Sequence, residues 1–218
     1  MTDNAHMPKG LMVVLDPHVD ERGPSSRVDN YPEHVMAKLS FCRDVANDED
    51  LVMAIAGDCM NRAKIQSDYI KGVLMDTFWS LKYRPMIWPG NHDMSGDVLS
   101  PNDTLWMIGK SRSAIIYPTS GVAQVLDMVD QETGRVYKVG IGGTPYGQDI
   151  PTSVTWPTLS GSVDFGIWFT HHNLKFQTHY TDKPAYDSHP ILGVDIVVNG
   201  HLHHRAPEVK KISEDGSY

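Results

Sequence analysis

The chain has 218 residues, 40% hydrophobic and 21% charged, a balance that excludes a disordered tail, a collagen-like rod and a long coiled coil. Nineteen basic against 27 acidic side chains leave a formal net charge of −8, which disfavours broad electrostatic binding to nucleic acid or an anionic membrane. No apolar run approaches the roughly 18 residues of a bilayer-spanning helix. The opening MTDNAHMPKG also lacks the basic and apolar regions of a secretion signal, so a cytoplasmic protein is expected.

Leu11 to Leu15 is a short apolar run that reads as a buried strand ending at Asp16, and the polar stretch Asp20 to Asn30 reads as a loop. Val35, Met36, Leu39, Cys42, Val45 and Ala46 recur at three- and four-residue spacing and predict a helix closed by Asn47 to Asp50. Leu51 to Ala56 predicts a second strand stopped by Gly57-Asp58. Ile70, Val73, Leu74, Thr77, Phe78 and Leu81 predict a second helix, and Pro85 to Trp88 a third strand. Val122 to Met128 and Arg135 to Ile141 flank the turn-forming Gln131-Glu132-Thr133-Gly134 and predict a hairpin. Asp164 to Thr170 and Ile196 to Asn199 read as two more strands. Strands alternating with helices imply an α/β fold with a mostly parallel sheet and ligands at the carboxyl ends of its strands. No repeat or Gly/Ser linker divides the chain, so residues 1–218 are expected to form one domain.

Two cysteines, Cys42 and Cys59, are too few for a disulfide framework and read as buried thiols. The eleven histidines are the unusual feature, because they cluster. Five segments place metal-ligand residue types just after a predicted strand: Asp16-Pro17-His18, Gly57-Asp58, Gly90-Asn91-His92-Asp93, Thr170-His171-His172 and Gly200-His201-Leu202-His203. Singly, an Asp there is an ordinary helix cap and a His an ordinary polar residue. Together they supply the oxygen and imidazole donors that suit Mn, Fe, Zn or Ni rather than Ca or thiolate-bound zinc. Two such metals about 3.5 to 4 Å apart activate water near neutral pH and clamp a phosphoryl group, which is the chemistry of phosphoester hydrolysis.

The ordered set D-x-H, G-D, G-N-H-D, a His after a strand, and G-H-x-H resembles the calcineurin-like metallophosphoesterase superfamily across Asp16 to His203. The resemblance implies a four-layer α/β/β/α metallophosphoesterase sandwich with two mixed β-sheets and two divalent transition-metal ions, manganese foremost. It assigns Asp16, His18 and His203 to the first metal, Asn91, His171 and His201 to the second, and Asp58 to both. His92 would face the leaving group without binding metal, with Asp93 hydrogen-bonding its imidazole. Either His171 or His172 could follow the strand end. Period-two alternation lets only one of them point inward, and the superfamily pattern uses the first. Gly57-Asp58-Cys59-Met60-Asn61-Arg62 resembles the G-D-x-x-D-R segment of Ser/Thr protein phosphatases, with Asn61 in place of the usual Asp. By that likeness Arg62 contacts the substrate phosphate; a solvated Arg capping the next helix is the other reading.

The implied partner is a phosphate ester. The negative charge, and the 218 − 203 = 15 residues that follow His203, favour a nucleotide or other small phosphodiester over a processive nuclease. A phosphomonoesterase or protein phosphatase is the alternative within the superfamily. A non-catalytic protein-binding scaffold on the same fold is the alternative of another class, and the full ligand set speaks against it. The sequence leaves the oligomeric state open.

Overall fold

The computed structural model describes residues 7–25, 27–158, 162–174 and 189–201. The first half builds β1 (Gly10–Val14), α1 (Tyr31–Asp48), β2 (Leu51–Ala56), α2 (Asp68–Trp79), β3 (Met86–Trp88), α3 (Thr104–Ser111) and β4 (Ile115–Ile116). These four strands form one parallel sheet in the order β1-β2-β3-β4. The second half builds β5 (Gly121–Val129), β6 (Val136–Thr144), β7 (Phe165–Thr170) and β8 (Ile196–Asn199). They form a mixed sheet in the order β5-β6-β7-β8, with an antiparallel β5/β6 hairpin and parallel pairs thereafter.

Side-chain alternation explains the layers. In β2, Met53 and Ile55 point to one face and pack with Leu39 of α1, Leu74 and Phe78 of α2, and Leu105 and Ile108 of α3. Val52, Ala54 and Ala56 point to the other face, where they join Met86, Trp88, Val139, Ile141 and Phe169 in the core between the sheets. On β7, Ile167 and Phe169 face that inner core, while Trp168 faces outward beside Trp156 and Ile191. Among the described residues, loop side chains rather than a helix therefore cover the outer face of the second sheet. The helices start where local chemistry allows: α1 has Pro32 in its first turn, and the Ser67 hydroxyl accepts the Ile70 N–H at 3.3 Å to cap α2. Among the described residues, no helix is long and apolar enough to cross a membrane.

The predicted strands and helices from β1 to β3 and from β5 to β8 occur where the pattern placed them, to within a few residues at each end. Strand β1 stops at Val14 rather than Leu15, ahead of the turn in which Asp16 takes a left-handed backbone (φ 48°). Helix α3 and strand β4 were not foreseen; with eight and two residues, each is too short to show a period.

Candidate metal centre

All the parallel strands deliver their carboxyl ends to one edge of the sandwich, and direct bonds tie the two sheets together there. His171 Nδ1, after β7, lies 3.1 Å from the Ala56 carbonyl at the end of β2. Tyr146 N–H, after β6, donates to the Pro89 carbonyl after β3 at 3.0 Å. The His201 N–H, after β8, donates to the Asp16 carboxylate after β1 at 3.0 Å. The turns after β1 and β2 are laced side by side: His18 N–H donates to Asp58 O, Val19 N–H to Cys59 O and Asn61 N–H to Val19 O, each at 2.9 Å.

Asp58 is the hinge of the constellation. One triplet of ligand atoms, from His18, Asp58 and His92, and a second, from Asp58, His171 and His201, each fall within 4.8 Å of one another. His171 Nε2 is 3.1 Å and His18 Nε2 3.8 Å from the Asp58 carboxylate. Burial opposes charge on both Asp58 and His171, yet their mutual contact outweighs it, holding the carboxyl below and the imidazole above its ordinary pKa. Asp16 lies beside the second triplet, 3.7 Å from His171 Nδ1. Asn91 Oδ1 is buried and accepts no hydrogen bond among the described residues. A buried amide oxygen without a donor, together with the imidazoles that gather around the one shared carboxylate of Asp58, makes a set of oxygen and nitrogen donors that fits a divalent transition metal.

Backbone strain concentrates at the same residues. Asp16, His18, Asp58 and His201 all adopt positive φ (48°, 50°, 44° and 80°), and only two other described non-glycine residues do, Asp50 and Arg112. Each such conformation costs on the order of 1 to 3 kcal/mol and persists where the surroundings over-determine it, a feature that clusters at functional sites. The glycines of the motifs supply room. A Cβ on Gly57 (φ 82°) would lie 1.9 Å from His171 Nδ1, and one on Gly90 2.2 Å from Asp58 Oδ1.

Two expectations are corrected, for Asp93 and Cys42. Asp93 does not orient His92: it is fully buried, and its carboxylate accepts the backbone N–H groups of Met60 (2.7 Å), Gly90 (2.8 Å) and Cys59 (3.2 Å). Burial raises its pKa to about 7 against those bonds. Asp93 thus pins the turns after β2 and β3 together, while the exposed His92 ring is held through Nδ1, 2.7 Å from the Asn61 carbonyl. Arg62 turns one edge of its guanidinium to Asp20, through Nε (2.9 Å) and Nη2 (2.6 Å), and keeps its second edge on a side chain that is 39% exposed. The cap of α2 is Ser67 rather than Arg62. Cys42, expected to be a buried thiol, is only partly buried, whereas Cys59 is buried.

Between the two candidate histidines, His171 joins the Asp58 triplet, while His172 Nε2 turns to the Gln148 carbonyl at 3.0 Å. Tyr146 stands over the site, its ring centroid 5.5 Å from that of His201 and 6.1 Å from that of His172. His203 lies outside the described residues. Sequence reasoning missed Asp20; its one signal was spacing, Asp16-Pro17-His18-Val19-Asp20, within a stretch that reads as polar loop. A cleft of about 740 Å³ opens beside the site, lined by His18, Asp58, Asn61 and His92 at one end and by Tyr31, Val35, Leu39 and Cys42 along α1.

A family model, calcineurin-like phosphoesterase, matches residues 16–205. The two facing sheets agree with it, and the chain belongs to the calcineurin-like phosphoesterase family. A search of curated proteins finds no match to the chain.

Proposed function

We propose that this chain is a two-metal phosphodiesterase acting on a nucleotide, a nucleic-acid end or another small phosphodiester, built as one metallophosphoesterase domain over residues 1–218 and working in the cytoplasm. The observation that carries the reading is Asp58 shared between two clusters of ligand atoms at the mouth of a cleft. In this reading Asp16, His18 and His203 would hold one divalent ion and Asn91, His171 and His201 the other, with Asp58 a ligand common to both and manganese the preferred metal. Bound metals would supply Lewis-acid polarisation of the phosphoryl oxygens and an activated water.

The chain's own residues do the rest. His92 gives a proton to the leaving oxygen from Nε2 of the doubly protonated ring: its Nδ1–H stays donated to the Asn61 carbonyl, the donation leaves the neutral Nδ1–H tautomer, and Nε2 is reprotonated from solvent. Asp93 keeps the turns carrying Asp58 and His92 in register. The cleft along α1 has room for the organic part of a substrate, since sites for small molecules run from about 300 to 1,000 Å³.

The test is hydrolysis of a chromogenic phosphate diester and the matching monoester by purified protein, with Mn²⁺ and with a chelator. Metal-dependent turnover favouring the diester is the expected result. Monoester preference would move the assignment to a phosphatase, and no turnover of either would move it to a protein-binding scaffold.

A further inference from the structure

We propose that Asp20 is a positioning residue for His92, acting through Asn61. The inference rests on the reading that His92 exchanges a proton with the leaving oxygen. Asp20 has no solvent exposure, and a buried carboxylate is costly unless its charge is matched by donors. Its Oδ2 accepts three, from Asn61 Nδ2 at 2.7 Å and from Arg62 Nε and Nη2. Its Oδ1 faces the Arg22 N–H at 3.3 Å. Arg62 neutralises the charge while its own side chain stays 39% exposed.

The consequence falls on Asn61. Its N–H is tied to the Val19 carbonyl and its side-chain amide to Asp20, so both ends of the residue are fixed to the turn that carries His18. A residue held at both ends has little freedom to rotate its carbonyl, and that carbonyl is the hydrogen-bond partner of the His92 ring. His92 is exposed, and its backbone N–H is anchored on Asp58 Oδ1 at 2.8 Å, a bond that leaves the ring free to turn. The ring also meets His18 edge-on, with centroids 5.1 Å apart. The Asn61 bond therefore selects the Nδ1–H tautomer and aims Nε2, and Asp20 holds the carbonyl that does so.

The test uses the full chain loaded with Mn²⁺ and two phosphodiesters, one with a good leaving group (4-nitrophenol) and one with a poor one (phenol). Proton donation matters most for the poor leaving group. Asp20→Asn is expected to lower kcat for the phenyl ester about tenfold and for the nitrophenyl ester under about threefold, a fraction of what a general acid contributes. KM and bound Mn²⁺ should be unchanged. His92→Ala should show the same bias more strongly, and adding Asp20→Asn to it should cost nothing further.

In the metal-free protein, ¹⁵N NMR of the His92 ring should report the Nδ1–H tautomer, and Asp20→Asn should mix the two tautomers. Equal losses on both esters, additive losses in the double variant, or an unchanged tautomer would overturn the role of Asp20. Absence of leaving-group bias in His92→Ala itself would instead overturn the reading of His92. Should Asp20→Asn fail to fold, Asn61→Ala removes only the amide contact and is expected to give a smaller effect of the same pattern; no bias there would also overturn the proposal.

Discussion

Gly57→Ala is the sharpest test of the way the backbone makes room for the site. Gly57 has φ 82°, and an added Cβ would sit 1.9 Å from His171 Nδ1 and 2.2 Å from its Cγ. Two costs add. A side chain in the left-handed region costs roughly 1 to 2 kcal/mol, and forcing a methyl into a packed interior costs roughly 1 to 3 kcal/mol. His171 is fully buried and cannot swing into solvent, so the sum of about 2 to 5 kcal/mol falls on the fold. At a few degrees per kcal/mol for a chain of this size, Tm should drop by about 10 °C. The matched control is Gly72→Ala in the interior of α2, where an added Cβ meets nothing within 4 Å. It should stabilise by about 0.5 to 1 kcal/mol through helix propensity alone. Denaturant unfolding with a chelator present reads stability apart from metal, and calorimetric titration with Mn²⁺ reads the site. Unfolding of Gly57→Ala within about 0.5 kcal/mol of the parent, the size of a neutral surface change, with full metal binding, would refute the reasoning.

Asp58→Asn should lose metal and activity together, because it removes charge from the one carboxylate common to both triplets; retained metal in elemental analysis would count against the bridge. His92→Ala should keep its metal and lose roughly 10²- to 10⁴-fold in kcat, the range of general acid–base catalysis, read by steady-state kinetics. Chelation should lower Tm, and Mn²⁺ at 100 times its dissociation constant should restore about 2.7 kcal/mol of stability per site. His172 should stay neutral down to about pH 4, because burial depresses its pKa against the pull of the Gln148 bond. The unfolded chain, with an ordinary histidine, takes up the proton first. The stability from this group is therefore complete above about pH 6.5 and is lost as pH falls toward 4, on the order of 3 kcal/mol in all. Histidine NMR titration of the chelated protein, with His172→Gln as assignment control, checks the inflection.

What the sequence disclosed and what it hid divide along a physical line. Strands such as Leu51–Ala56 and helices such as Asp68–Trp79 carry a period set by burial, and the candidate ligand residues sit where those periods end, so the elements and the place of the motif were both legible. The pairing of two sheets face to face was not, because Val52 and Met53 are equally apolar and nothing local says that one meets helices and the other a second sheet. The family resemblance, not the residue pattern, supplied that layer.

The same limit explains Asp93 and Arg62. Adjacency to His92 suggested a side-chain partner, but the turn sends the Asp93 carboxylate inward to three N–H groups and turns the His92 ring to a carbonyl 31 residues away. A backbone acceptor has no residue type and leaves no mark in a sequence. The Arg62 ion pair was hidden for the same reason, since Asp20 lies 42 residues upstream in a stretch that reads as loop. In this site the metal-ligand types are written in the motifs, whereas the groups that aim them are written in turn geometry, and Asp20 belongs to the second kind.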